Sequence, residues 1–411
     1  MLPKSSFCIV EDDRAVSHRI SSILSEAGHS VTVAATSVEA FDTIAQSAPD
    51  CILVDILLPH IDGYDFCRRV RQDPRLRRTK IVVMSTKPYE ADRREAIAMG
   101  AAGYILKPIR DNLLALLEEI LLDRVELHYW GVRGTLPVPG RGTLRYGGNT
   151  SCVTMSFGSD GLFIFDAGSG IKELSDHLMQ KKARINGHLF ISHCHWDHIN
   201  ALPFLAPLYT PGNELEIMGP PNGDRRMLKL ISDQMDGVYF PVTIREFGSR
   251  VSFRDLREEQ MLIEGMMVET MLLSHPGACL GYKVSFGNTS LCYVTDNELF
   301  PEDTPQHDPR YVEKLADFVR GADILITDST YTDEEYQKKI GWGHSCLTEV
   351  AKLAHRAQVK KLHLFHHDPA QSDDAIDRKR SLTQAVLDSL GSDTICEAPA
   401  EGDTFSFSRS A

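Results

Sequence analysis

Seven consecutive residues, Ser192-His193-Cys194-His195-Trp196-Asp197-His198, gather three imidazoles and a carboxylate. Burying such groups unpaired is costly, and a pair of divalent metals resolves the cost. Alternation along the backbone lets His193 and His195 point the same way, while Asp197 and His198 fall where the chain turns. A solvated or core-histidine cluster is the competing reading. A second concentration of chemistry lies near the start of the chain. Asp55 ends an apolar run and stands just before a Leu-Pro turn, and Glu11, Asp12 and Asp13 end another such run. Carboxylates at one sheet edge repel unless a hard cation such as Mg²⁺ sits among them. Ser85 and Lys107 end two further apolar runs, where a hydroxyl and an ammonium suit the oxygens of a phosphoryl group on Asp55.

The elements that must position these groups follow from the hydrophobic pattern. Short apolar runs at 6–10, 30–33, 51–54, 81–84 and 103–105 alternate with helical periods. That rhythm predicts a five-stranded parallel sheet with helices on both faces. A last helix is expected over 111–124. Beyond it, Gly and Pro become dense over 130–148, and strands come in close pairs, as at 151–157 and 162–165. A strand over 188–191 should feed the histidine motif, with an apolar helical pattern over 199–205 after it. Two domains are therefore expected, 1–124 and 125–411, joined with almost no linker.

Composition narrows the function. The chain has 411 residues, nine cysteines without a C-x-x-C pair and a formal net charge of −13. An odd, scattered cysteine set argues against a disulfide framework and for a reducing cytoplasm. No apolar run is long enough to span a membrane and no signal peptide is expected at the N-terminus. Residues 1–124 hold 16 basic and 18 acidic groups, so most of the acidity falls on the second domain. Such acidity disfavours unaided binding of a polyanion. The basic run Arg68, Arg69, Arg71, Arg75, Arg77, Arg78 and Lys80 lacks interleaved aromatics and reads as a solvated helix end and loop.

The first domain resembles the response-regulator receiver, a flavodoxin-like α/β fold. Ser85 lies 30 residues after Asp55, Lys107 22 after Ser85, and Tyr104 49 after Asp55. The segment Leu58-Pro59-His60-Ile61-Asp62-Gly63 is similar to the family's loop after the phosphoacceptor. The resemblance implies phosphorylation of Asp55, a Mg²⁺ site at Glu11, Asp12 and Asp55, and a switch of Ser85, Tyr104 and Lys107. It also implies a sensor histidine kinase or phosphotransfer protein as partner.

The H-x-H-x-D-H motif resembles the metallo-β-lactamase fold, an αββα sandwich. That pattern implies His193, His195 and His275 on one metal and Asp197, His198 and His366 on another, with Asp296 bridging. His367 adjoins His366 and competes with it; His363, inside its strand, reads as structural. Asp166, in Phe165-Asp166-Ala167-Gly168, is similar to the Asp that orients a ligand histidine. The oxygen-reducing di-iron branch carries Glu at the position of His195, which disfavours that chemistry. The full ligand set is similar to that of phosphodiester-hydrolysing members, usually loaded with zinc or manganese. Within them, His128-Tyr-Trp-Gly-Val-Arg-Gly-Thr, Tyr146-Gly-Gly-Asn-Thr-Ser-Cys152 and Leu202-Pro-Phe204 resemble the phosphoribosyl 1,2-cyclic phosphodiesterases. Asp328-Ser-Thr-Tyr331 and Gly341-Trp-Gly-His344 are similar to tRNA 3′-processing endonucleases, where the equivalent His assists catalysis. Asp197 and His344 are thus the candidate catalytic residues, with a structural His on a Gly-rich loop as the alternative for His344. Asn149 and Thr150 either line the site or form a turn.

The expected function is a response regulator whose output hydrolyses a small cyclic or linear phosphodiester under control of Asp55. A nuclease of the same fold and a non-catalytic metal-binding scaffold are the alternatives, and a homodimer stays open.

Overall fold

The computed structural model describes residues 4–58, 61–76, 79–110, 112–121, 124–158, 161–180, 184–238 and 240–408. The chain divides into two units, Met1–Arg124 and Val125–Arg409. Pro59, His60, Arg77, Arg78 and Asp111, which belong to segments singled out above, lie outside the described residues.

In the first unit, Ser6–Val10, Ser30–Ala34, Cys51–Asp55, Lys80–Ser85 and Gly103–Leu106 form one parallel sheet. Its spatial order places Ser6–Val10 between Ser30–Ala34 and Cys51–Asp55, with Lys80–Ser85 and Gly103–Leu106 following. Alternate residues of each strand supply two separate apolar cores, one on each face of the sheet. Val10 and Val54 are register partners, so the residues after them share one edge. Two expectations change here. The last helix spans Leu113–Leu121, and Arg124 already opens the strand Arg124–Gly131. Val125 pairs with Phe157 in that strand, and the pairing outcompetes the helical pattern. The basic run is also not wholly solvated: Arg71 donates to the carbonyls of Gly100 and Thr79 at 2.9 and 2.8 Å, tying a helix end to a loop.

The second unit is an αββα sandwich. One seven-stranded sheet runs Arg250–Asp255, Glu214–Gly219, Asn186–Phe190, Gly161–Phe165, Cys152–Phe157, Arg124–Gly131 and Thr404–Ser408 in spatial order. The other runs Gln260–Ile263, Met266–Leu272, Leu280–Phe286, Thr289–Val294, Ile324–Asp328, Lys361–Phe365 and Ile395–Glu397. Their inner faces share one core, in which Phe163, Phe165 and Phe190 of the first sheet meet Tyr282, Tyr293 and Phe365 of the second. Helices cover both outer faces through separate apolar clusters. The helix expected over 199–205 is broken instead into a turn at Trp196–Ile199 and 3-10 turns at Leu202–Phe204 and Ala206–Tyr209. Pro203 and Pro207 lack the N–H that a continuing helix needs.

Candidate metal centre

Strand ends bring the candidate ligands together. His193 and His195 follow Asn186–Phe190, His275 follows Met266–Leu272, Asp296 follows Thr289–Val294, and His366 follows Lys361–Phe365. Asp166, Asp296 and His366 each take positive φ, at 60°, 50° and 58°. Such a conformation costs of order 1–3 kcal/mol for a residue with a Cβ. It turns each side chain off the end of its strand and away from the two-residue alternation of the sheet.

The ligand atoms of His193, His195, His275 and Asp296 lie within 4.8 Å of one another, as do those of Asp197, His198 and His366. Asp296 divides its carboxylate between the two groups. Its Oδ1 is 3.2 Å from Nε2 of both His198 and His366, and its Oδ2 is 3.5 Å from His193 and 3.7 Å from His275.

The donors fit two cations. His193 Nε2 is buried without a hydrogen-bond partner. Nε2 atoms of His198 and His366 stand 3.3 Å apart, while their Nδ1 atoms are engaged by Asp166 and Thr330. Burial and neighbouring imidazoles hold His193 well below its ordinary pKa, and His195 and His275 are lowered too. Neutral imidazoles keep the lone pairs that a metal requires. Around His198, burial opposes charge, but Asp296, Asp197 and Asp166 outweigh it and raise its pKa well above normal. Three buried carboxylates thus leave a site that calls for positive charge.

The surrounding groups aim these side chains. Asp166 accepts from Ser192 N and Oγ, from Tyr293 Oη and from His198 Nδ1, the last at 2.7 Å. His275 Nδ1 donates to the Gly343 carbonyl at 2.9 Å. Thr135 N–H donates to Asp197 Oδ2 at 2.6 Å. Its neighbour Gly134 packs so tightly that a Cβ there would come within 2.1 Å of the His366 ring. His344 Nδ1 bonds Asp328 Oδ2 at 2.7 Å, and its ring stacks on His366 at 4.9 Å. Burial works against its charge, but Asp328 beside it raises the His344 pKa to about 9.

Several neighbours stand apart from the cluster. His367 is buried against Lys379 Nζ at 3.1 Å, and His363 bonds Tyr129 and Glu397. Asn149 bonds Glu401 and Thr150 bonds Ser169, which ties their loop to segments distant in sequence. Cys194 is half-buried and belongs to neither ligand group.

In the first unit, carboxylate oxygens of Glu11, Asp12 and Asp55 likewise lie within 4.8 Å of one another. Asp13 does not join them, because its side chain caps the helix Arg14–Glu26 through Ala15 N and Val16 N. Lys107 Nζ bridges Glu11 at 2.5 Å and Asp55 at 2.7 Å. Burial opposes its charge, but those two carboxylates raise its pKa overall. Ser85 is buried, and Tyr104 Oη donates to the Lys87 carbonyl at 2.9 Å.

The family model of the response regulator receiver domain matches residues 7–118, and that of the beta-lactamase superfamily domain matches residues 163–367. The chain is a receiver domain fused to a metallo-β-lactamase-fold domain. The transcriptional regulatory protein AfsQ1 of Streptomyces coelicolor is 30% identical over 109 residues, covering 26% of this chain and 47% of its own. The response regulator MprA of Mycobacterium sp. (strain KMS) is 34% identical over 114 residues, 28% of this chain and 49% of its own. The chain thus spans about half the length of these relatives. The metallo-β-lactamase fold protein YhfI of Bacillus subtilis aligns with 69% of this chain and all of its own, at 16% identity and a TM-score of 0.52. That likeness is one of fold.

Some residues of the metallo-β-lactamase-fold site had no signal of their own in the sequence. Thr135 acts through its backbone, and Glu298 through bonds to a loop far along the chain. Gly134 was legible only as one glycine of a Gly-rich string. For Asp166, whose carboxylate receives the His198 ring, Asp166→Ala should lower metal affinity about 10–100-fold. Competition against a chromophoric chelator measures this; undiminished affinity would remove Asp166 from the orienting role.

Proposed function

We propose that the metallo-β-lactamase-fold domain is a dinuclear hydrolase that cleaves a small phosphodiester, and that phosphorylation of Asp55 controls it. The observation that carries the reading is the Asp296 carboxylate, with one oxygen toward each histidine group and the His344–Asp328 pair alongside. His193, His195, His275 and Asp296 would hold one metal, and Asp197, His198, His366 and Asp296 the other, with zinc or manganese suited to such N and O donors. When bound, two such ions make water nucleophilic at neutral pH and offset charge on phosphoryl oxygens.

The chain's own residues do the rest. Thr135 N–H fixes Asp197, and Asp166 fixes the His198 ring. Asp328 holds His344 by Nδ1, so its Nε2 is the atom free to give a proton to the departing alkoxide. Without that proton a strongly basic alkoxide would have to leave as an anion.

Metal analysis of purified protein, joined to a panel of cyclic, linear and polynucleotide phosphodiesters, tests the reading. About two metals per chain and turnover of a small diester are expected. Fewer than one metal, or no diester turnover by loaded protein, would overturn it.

Regulation has its own expected result. No helix among the described residues is long and apolar enough to cross a membrane, and the receiver implies a phosphodonor such as a histidine kinase. A phosphoryl group on Asp55 would compete for Lys107 and draw Ser85, releasing Tyr104 from Lys87. Acetyl phosphate with Mg²⁺ should add one phosphoryl group to the wild type and none to Asp55→Asn. It should also change the wild type's kcat or its oligomeric mass. Identical kinetics and mass with and without phosphorylation would reject control through Asp55.

A further inference from the structure

The chain has three tryptophans. Trp130 is buried, but Trp196 is 82% exposed and Trp342 59% exposed. Both exposed indoles neighbour, along the chain, residues that line or contact the metal cluster. Trp196 lies between His195 and Asp197, and Trp342 precedes Gly343, whose carbonyl receives His275 Nδ1. A large aromatic side chain left in solvent beside a polar site marks a surface that a ligand covers.

Trp342 is held in place. Lys339 Nζ lies 4.7 Å from the centroid of its ring and 4.7 Å from that of Tyr331. Tyr331 meets His344 edge-on at 5.8 Å, and His344 stacks on His366. An unbroken wall of rings and one ammonium therefore runs from a candidate ligand out to the indole. The loop beneath is clamped by the buried Glu298, which accepts from Gly341 N and Gly343 N at 2.7 Å and from Tyr336 Oη at 2.8 Å. Lys339 occupies one face of the indole, and the remaining exposure leaves a face open. A ring fixed beforehand loses little entropy when it is covered.

Building on the diester reading above, we propose that Trp342 forms a stacking subsite for a planar aromatic group of the nucleobase kind. That group belongs to the alcohol that leaves phosphorus, because Lys339 and Tyr331 join Trp342 to His344, the residue assigned above to that alcohol's proton. Lys339 lies on the same side, its ammonium shared with Asp368 Oδ2 at 3.7 Å.

The test uses metal-loaded full-length protein and two probes. One is 3′,5′-cyclic AMP; the other is methyl ribofuranoside 3,5-cyclic phosphate, the same diester ring without a base. Tryptophan fluorescence reports binding, and kcat and KM are measured beside it. Cyclic AMP should bind about tenfold more tightly and quench the fluorescence. Trp342→Ala should collapse the difference between the probes, and Trp342→Phe should keep most of it. Equal affinity in the wild type, absence of cyclic AMP binding, or a preference that survives Trp342→Ala would overturn the subsite. Binding with the expected preference but no turnover of either probe would instead overturn the hydrolase reading and leave the subsite standing.

Discussion

Asp296→Asn should reduce phosphodiester hydrolysis by at least ~10²-fold and bring the metal content below two per chain. Losing an outer residue that merely orients a ligand typically costs about 10–100-fold. Asp296 touches both histidine groups directly, so its loss should exceed that range. The amide keeps the shape but removes the charge that faces His198 and His366 at 3.2 Å. Burial disfavours the ionised carboxyl, but the surrounding imidazoles hold it well below the usual range. The carboxylate is therefore favoured over the neutral acid, and the substitution removes its charge. Elemental analysis and kcat/KM on a p-nitrophenyl diester measure both effects. Full metal content with an unchanged rate would show that Asp296 does not bridge.

The second large effect belongs to His344. His344→Ala should lower kcat about 10²–10⁴-fold for diesters with alkyl alcohol leaving groups, the usual worth of a positioned general acid. It should change hydrolysis of bis(p-nitrophenyl) phosphate far less, because p-nitrophenolate leaves without a proton. A merely structural histidine would slow both substrates alike. The pH profile offers an independent check. Asp328 raises the His344 pKa to about 9, so the imidazole is protonated below that value and loses its proton above it. Two nearby dications would lower the value, so kcat should fall along an alkaline limb beginning at or below pH 9. That limb should vanish in His344→Ala, and its persistence there would assign it to another group.

Much of this site was legible because its parts are local. His193, His195, Asp197 and His198 lie within six residues, so any strand-to-turn path brings them near each other. The three central receiver strands were legible for a related reason: each is a short apolar run buried on both faces. Periodicity misled where non-local pairing or proline intervened. Arg124 joined a strand despite the helical pattern before it, and Pro203 and Pro207 broke an apolar helical pattern into turns.

By itself, the sequence determined the two domain types, the residues able to bind metal or phosphate, and the location of the acidity. Tertiary structure decided how those residues share their work. It set Asp296 between two histidine groups, paired His344 with Asp328, separated His366 from His367, and assigned Asp13 to a helix cap. It also recruited Thr135 N–H to Asp197, and Glu298 to the loop that carries Trp342. The reason is physical. Residue type fixes which atoms can donate, accept or ligate, whereas direction depends on strand register and on left-handed turns at three strand ends. Backbone donors and long-range clamps leave no pattern along a chain until folding brings them into contact.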